Sequence, residues 1–377
     1  MALIQYITRI QFDFGAIRLL AEECAQIGIR RPLVVTDKGV RNAGIADQVI
    51  DAIGLACIVF DDTPPNPNET AVRSAVSTYL ANECDGIIAV GGGSSIDLAK
   101  GVAVCATHTG PLRQFAVTEG GLQRITSATA PLIAIPTTAG TGSEVGRGAI
   151  LILDDGRKVG VISPYVVPRV AICDPALTMR LPPTLTAATG MDAIAHCIET
   201  FMSPTFNPAA DGIALDGLWR AWRHIEQATH CADDRNARMN MMSASMQGAL
   251  AFQKGLGCVH SLSHSLGGIN PKLHHGTLNA IFLPAVIRFN EVDETVRQEE
   301  KLRRLSQAMG IGDSMDVASA VQDMTARLGL PTKLSQVDVP QDWFPAIVSG
   351  ALKDHSHKTN PREASETDYV NLLAASW

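Results

Sequence analysis

Gly86-Ile87-Ile88-Ala89-Val90-Gly91-Gly92-Gly93-Ser94-Ser95-Ile96-Asp97-Leu98-Ala99-Lys100 decides the fold class. The run from Gly86 to Val90 is uncharged, apolar and short, and it reads as a buried strand. Three glycines and two serines follow, and a helical pattern begins at Ile96. A buried strand feeding a helix through a glycine-rich turn opens a parallel βαβ unit. Such a turn lets backbone amides approach a diphosphate, and the helix N-terminus adds partial positive charge. Neither GxGxxG nor GxxxxGK[ST] is present, so the stretch alone fits a tight turn as well as a nucleotide cradle. Ser94 and Ser95 can cap the helix or donate to phosphate.

The alternation of strand and helix extends on both sides of this stretch. Upstream, strands are expected over 32–37 and 56–60, and helices over 16–27, 43–53 and 69–82. The alternating residues from Ile4 to Leu20 suggest an edge strand or hairpin ahead of the first helix. Downstream, a helix over 96–106 precedes a strand over 131–136, a hairpin over 149–162 and a strand over 170–174. From Leu181 the pattern turns helical, and Pro182-Pro183 marks a boundary. The expectation is an α/β protein with an N-terminal parallel-sheet dinucleotide-binding domain over 1–180. A C-terminal all-helical domain over 181–377 would bind metal and substrate.

Two companions strengthen the nucleotide reading. Asp37 closes an early strand, where it can bond a ribose hydroxyl and repel a 2′-phosphate, favouring NAD over NADP, or simply cap the next element. The run Pro136-Thr137-Thr138-Ala139-Gly140-Thr141-Gly142-Ser143-Glu144 places hydroxyls and glycines after another strand, where open α/β folds bind ligands.

The helical half carries the metal chemistry. Asp192 and His196 lie four apart, as do His260 and His264, so each pair shares a helix face. Four of the ten histidines fall within 260–275, ending in His274-His275-Gly276. One carboxylate and three or four imidazoles suit a divalent ion such as iron(II), zinc, manganese or nickel.

A net charge of −7 and the lack of any basic run argue against nucleic-acid or anionic-membrane surfaces. The eight cysteines form no CxxC pair and read as reduced thiols of a cytoplasmic protein, with neither a leader nor a membrane span expected.

In GGGSSIDLAKG (91–101), PTTAGTGSEV (136–145), CDPALTMRLPPTLTAATGMDAIAHCIE (173–199), GLGCVHSLSHSLGG (255–268), HHG (274–276), LPAVIRFN (283–290) and NPREAS (360–365), the chain resembles the iron-containing alcohol dehydrogenase family. The resemblance implies a metal-dependent, NAD-linked alcohol dehydrogenase, with metal and nicotinamide in a cleft between the domains. It assigns the metal to Asp192, His196, His260 and His275, with iron(II) favoured and zinc an alternative. His264 would be the catalytic proton-relay or positioning residue. Cofactor contacts would come from Asp37, Asn66, Gly92, Gly93, Ser94, Asp97, Thr137, Thr138, Thr141, Lys158 and Leu177. The pattern departs at an extra residue before Gly276 and at Gly146-Arg147-Gly148. The segments MDAIAHCIETF, QGALAFQKGLGCVHSLSH and LHHGTLNA look most like the 4-hydroxybutyrate dehydrogenase branch. A terminal hydroxy acid needs a carboxylate partner, for which Arg147, His357 and Lys358 are candidates. A maleylacetate-type reductase and a dehydroquinate-synthase-like lyase are the alternatives. The expected assembly is a homodimer, paired through the apolar N-terminal strand.

Overall fold

The computed structural model describes residues 8–312 and 316–377. The described residues hold eight strands: β1 (Arg9–Phe12), β2 (Pro32–Val35), β3 (Ile58–Phe60), β4 (Gly86–Gly91), β5 (Leu132–Pro136), β6 (Gly148–Ile152), β7 (Lys158–Ile162) and β8 (Val170–Cys173). Six of them form one sheet in the order β1-β8-β5-β4-β2-β3, every neighbouring pair parallel. The apolar runs of the sequence follow from this geometry. Leu33, Val35, Ile87, Ala89, Leu132 and Ala134 join the core on one face. Val34, Ile88, Val90, Ile133, Ile135 and Ile172 join the core on the other. A parallel sheet is covered on both sides, so its central strands cannot alternate with polar residues.

Helices α1 (Leu20–Ile27), α2 (Lys38–Asn42), α3 (Ile45–Ile53), α4 (Glu69–Ala81) and α5 (Gly93–Cys105) complete the βαβ units. Leu20 and Cys24 of α1 and Val49 and Ile53 of α3 pack on one face. Val72 and Tyr79 of α4 and Leu98 and Val102 of α5 pack on the other. β6 and β7 form the expected antiparallel hairpin. Within the described residues the N-terminal alternation yields an edge strand, β1, which pairs parallel to β8; the part of the expected edge strand or hairpin over 4–7 lies outside them. The strand expected over 32–37 stops at Val35 because Asp37 accepts the Val40 amide at 3.0 Å and caps α2.

The helical half is built on α6 (Pro183–Met202), α7 (Pro208–His230), α8 (Arg235–Ala251), α9 (Cys258–Ile269) and α10 (His275–Asn290). α6 packs against α7, α8 and α10 and is buried continuously from Thr186 to Met202. Its four alanines and Gly190 permit close neighbours, and Pro183 fits its first turn, where no amide partner is needed. Leu181–Trp377 with Ala139–Thr141 forms one compact unit, and the chain around the sheet forms the other.

Within the sheet unit, Lys100 of α5 is fully buried. Its ammonium donates to Ser143 Oγ at 2.9 Å, Gly146 O at 2.9 Å and Gly148 O at 2.7 Å. These bonds hold the loop after β5 to the helix after the glycine-rich turn. Lys100→Met should lower stability by about 2–5 kcal/mol, because it strands buried acceptors and the charge facing them. A urea midpoint shift at constant slope measures this.

Candidate functional site

The glycine-rich turn leaves β4 beside the threonine loop that leaves β5. Gly91 pairs with Pro136, and the Thr137 amide donates to Gly91 O at 3.0 Å. Gly91 has φ +151°, and a Cβ there would come within 2.4 Å of Ser95 Oγ. Only glycine fits that turn. A Cβ on Gly92 would touch the Thr138 side chain at 3.2 Å. Gly93 begins α5, so unpaired helix amides open at the carboxyl ends of adjacent parallel strands, where a diphosphate fits.

Asp37, at the end of β2, faces the same turn. One carboxylate oxygen caps α2 and the other accepts from Ser95 Oγ at 3.1 Å. Ser94 Oγ donates to Pro65 O, so that hydroxyl holds the neighbouring loop. Asn66 and Lys158, far apart in sequence, meet at 2.9 Å. Thr137 and Thr138 lie on the loop, while Thr141 belongs to the short segment counted with the helical unit. Two of the resemblance-derived cofactor positions are engaged elsewhere. Asp97 accepts from Ser143 Oγ at 2.5 Å and the Ile150 amide at 2.9 Å, and Leu177 is a core residue, 4% exposed. Burial raises the Asp97 carboxyl despite Lys100 and pushes Lys100 down to about 8 and Glu144 up to about 7.

In the helical unit, α6, α9 and α10 bring four donors to one point. Asp192 Oδ1 lies 3.5 Å from His196 Nε2, 3.7 Å from His260 Nε2 and 3.7 Å from His275 Nε2. Two donors of one tetrahedral first-row ion are about 3.4 Å apart. Asp192, His196 and His260 offer atoms all within 4.8 Å of one another and fit a single divalent ion, with His275 reaching the same carboxylate oxygen as a fourth donor. The approach of α10 to α6 depends on Gly276, where a Cβ would lie 2.1 Å from Ala188 O. His274 sits outside the helix as its N-cap, whereas His275 starts it and faces Asp192.

The second ring nitrogens of His196 and His260 are held as well. His196 Nδ1 lies 3.3 Å from Gly140 O, and His260 Nδ1 contacts Glu199 Oε2. A carbonyl or carboxylate only accepts, so each Nδ1 carries the hydrogen. Asn279 Nδ2 donates to Asp192 Oδ1 at 2.7 Å and lies 3.2 Å from His260 Nε2 and 3.1 Å from His275 Nε2. Burial opposes ionisation of Asp192, but the surrounding imidazoles outweigh it and hold its carboxyl well below the usual range. Burial lowers His196 to about 4, leaving it neutral. For His260 burial also lowers, but Glu199 and Asp192 prevail and raise it to about 9. A divalent ion at this point would take the place of that proton.

His264 stacks on His275 with centroids 5.3 Å apart, and its Nδ1 lies 3.0 Å from Asp354 Oδ2. His355 stacks against it from the other side at 5.8 Å. The C-terminal polar run therefore reaches His264 through Asp354 and His355. His357 bonds Tyr369 Oη at 3.0 Å, and Lys358 and Arg147 are exposed. Glu199 and Asn279 were not expected, although each had a signal: Glu199 continues the Asp192/His196 face, and Asn279 stands four after His275. Asp354 lies 90 residues from His264, with no spacing to betray it.

Residues 8–175 match the family described as "Iron-containing alcohol dehydrogenase", and residues 186–377 match "Fe-containing alcohol dehydrogenase family, C-terminal". The chain is 62% identical to 4-hydroxybutyrate dehydrogenase of Cupriavidus necator, with both chains covered completely. The crystal structure of a 1,3-propanediol oxidoreductase superposes with TM-score 0.92 at 33% identity over 100% of each chain. Sulfoacetaldehyde reductase from Bifidobacterium kashiwanohense, solved in complex with NAD+, superposes with TM-score 0.89 at 27% identity, covering 99% of this chain and 98% of that one.

Gly276→Ala should force α10 off α6 and move His275 from Asp192. The expected outcome is a lower melting temperature and less divalent metal per chain by elemental analysis.

Proposed function

Because the chain belongs to the iron-containing alcohol dehydrogenase family, it is an NAD-linked alcohol oxidoreductase, and we propose that it interconverts 4-hydroxybutyrate, or a similar short terminal hydroxy acid, with the aldehyde. The observation that carries this reading is the convergence of Asp192, His196, His260 and His275 on one point. The 62% identity to a 4-hydroxybutyrate dehydrogenase supports the substrate class. A reductase of the maleylacetate type and a synthase-like lyase are less favoured.

The bound ion supplies Lewis acidity and NAD supplies the hydride acceptor. Asp192 would provide the negative charge that retains the cation, and His196, His260 and His275 would hold it. Asp354 orients His264, which would pass on the alcohol proton. Asp37, Gly92, Gly93, Ser94, Thr137, Thr138 and Thr141 would seat the dinucleotide, with Asn66 and Lys158 as a polar pair for its ribose. Arg147 and Lys358, both exposed, and His357 remain the candidates for the substrate carboxylate.

No helix among the described residues is long and apolar enough to cross a membrane. A cytoplasmic homodimer paired through the edge strand β1 fits the sheet order. Sedimentation at monomer mass would refute the dimer.

Asp192→Ala should abolish bound metal and NADH formation at 340 nm together; activity surviving without metal overturns the assignment. Arg147→Ala or Lys358→Ala should raise KM for 4-hydroxybutyrate about tenfold, with kcat little changed and a simple diol unaffected. An unchanged KM removes that residue from the carboxylate site.

A further inference from the structure

Glu199 is a buried carboxylate that the ligand set does not use. α6 presents Asp192, His196 and Glu199 at positions i, i+4 and i+7, one face of one helix. The first two point at the shared donor point. Glu199, a turn further on and 4% exposed, reaches the far side of His260, itself 1% exposed. Its Oε2 contacts His260 Nδ1 and its Oε1 accepts from the Val259 amide at 2.8 Å. Asn360 Oδ1 takes the adjacent Cys258 amide at 3.1 Å, so the start of α9 is clamped by two side-chain acceptors. A carboxylate at a helix N-terminus also meets the favourable end of the helix dipole.

Asn279 reports independently on the same ring. Its Nδ2 lies 2.7 Å from Asp192 Oδ1, and a carboxylate only accepts, so this atom is the amide nitrogen. That donor also lies 3.2 Å from His260 Nε2, on the side of the ring away from Glu199. Glu199 therefore holds the hydrogen of His260 on Nδ1, which turns Nε2 toward Asp192 and the donor point.

We propose that Glu199 is a positioning residue that locks His260 in its metal-binding tautomer and, through that ring, sets how tightly the site holds a divalent cation. The proposal rests on the metal site put forward above and assigns the residue behind it. A carboxylate behind a ligating imidazole raises its basicity and fixes its orientation, and losing such a partner weakens metal binding about 10–100-fold. Glu199→Gln keeps the size but removes the charge, and it puts an NH2 donor where one of the two oxygens accepted from His260 Nδ1 or the Val259 amide.

The test is a Co(II) titration of the full-length chain after chelator stripping, followed by visible absorbance, with the melting temperature of the stripped protein measured alongside. Glu199→Gln should raise the Co(II) dissociation constant about 10–100-fold, with the melting temperature near wild type and kcat largely restored at saturating metal. An unchanged dissociation constant overturns the proposal. Asp192→Ala is run beside it. If that variant still binds Co(II) like wild type, the metal site itself is wrong; if only Glu199→Gln binds normally, the site stands and Glu199 has no part in it. Should Glu199→Gln fail to fold, 15N-histidine spectra of the Zn(II)-loaded wild-type chain decide. A protonated, slowly exchanging Nδ1 on His260 supports the tautomer, and hydrogen on neither or only on Nε2 refutes it.

Discussion

The helical unit is arranged around the ionised carboxylate of Asp192, only 2% exposed. A charge withdrawn from water is tolerated only where neighbours replace the lost hydration. Asn279 and the three imidazoles of His196, His260 and His275 do that here. Meeting the requirement brings two further elements to α6. α10 comes close enough that only glycine fits at Gly276, and α9 is held by Glu199 and Asn360 at its first amides. Three helices pack against α6, which is buried from Thr186 to Met202.

The sheet unit meets the same problem with the opposite charge. Lys100, on the helix that follows the glycine-rich turn, has no solvent contact and is held by a hydroxyl and two carbonyls. Asp97 completes the group through Ser143 and Ile150. The helix after the turn and the loop after β5 thus move as one piece, which keeps Gly91, Gly92, Thr137 and Thr138 in register. Preorganisation of this kind lowers the ordering cost of a ligand. It also shows why Asp97 and Lys100 follow the turn at helical spacing: both point into the protein, beneath the turn.

Local chemistry was legible along the chain. The apolar runs at 86–90 and 131–136 announced strands covered on both faces, and the i,i+4 pairs Asp192/His196 and His260/His264 announced side chains that share a helix face, because helix and strand periods are properties of short segments. His275 was assigned through the motif that ends in Gly276, and the steric demand for that glycine is visible only against Ala188. The Asn66–Lys158 contact, the role of Asp354 behind His264 and the inward turn of Asp97 had no local signature.

The amino-acid order by itself determined which segments are strand or helix, which half holds the glycine turn and which the imidazoles, and which side chains share a helix face. Tertiary packing alone decided which nitrogen of each imidazole carries its hydrogen, which carboxylate stands at the donor point and which behind it, and which polar residues are used up internally. The physical reason is range. Periodicity acts over a few residues, whereas a hydrogen bond between Glu199 and His260, or between Asp354 and His264, exists only once separate helices have packed.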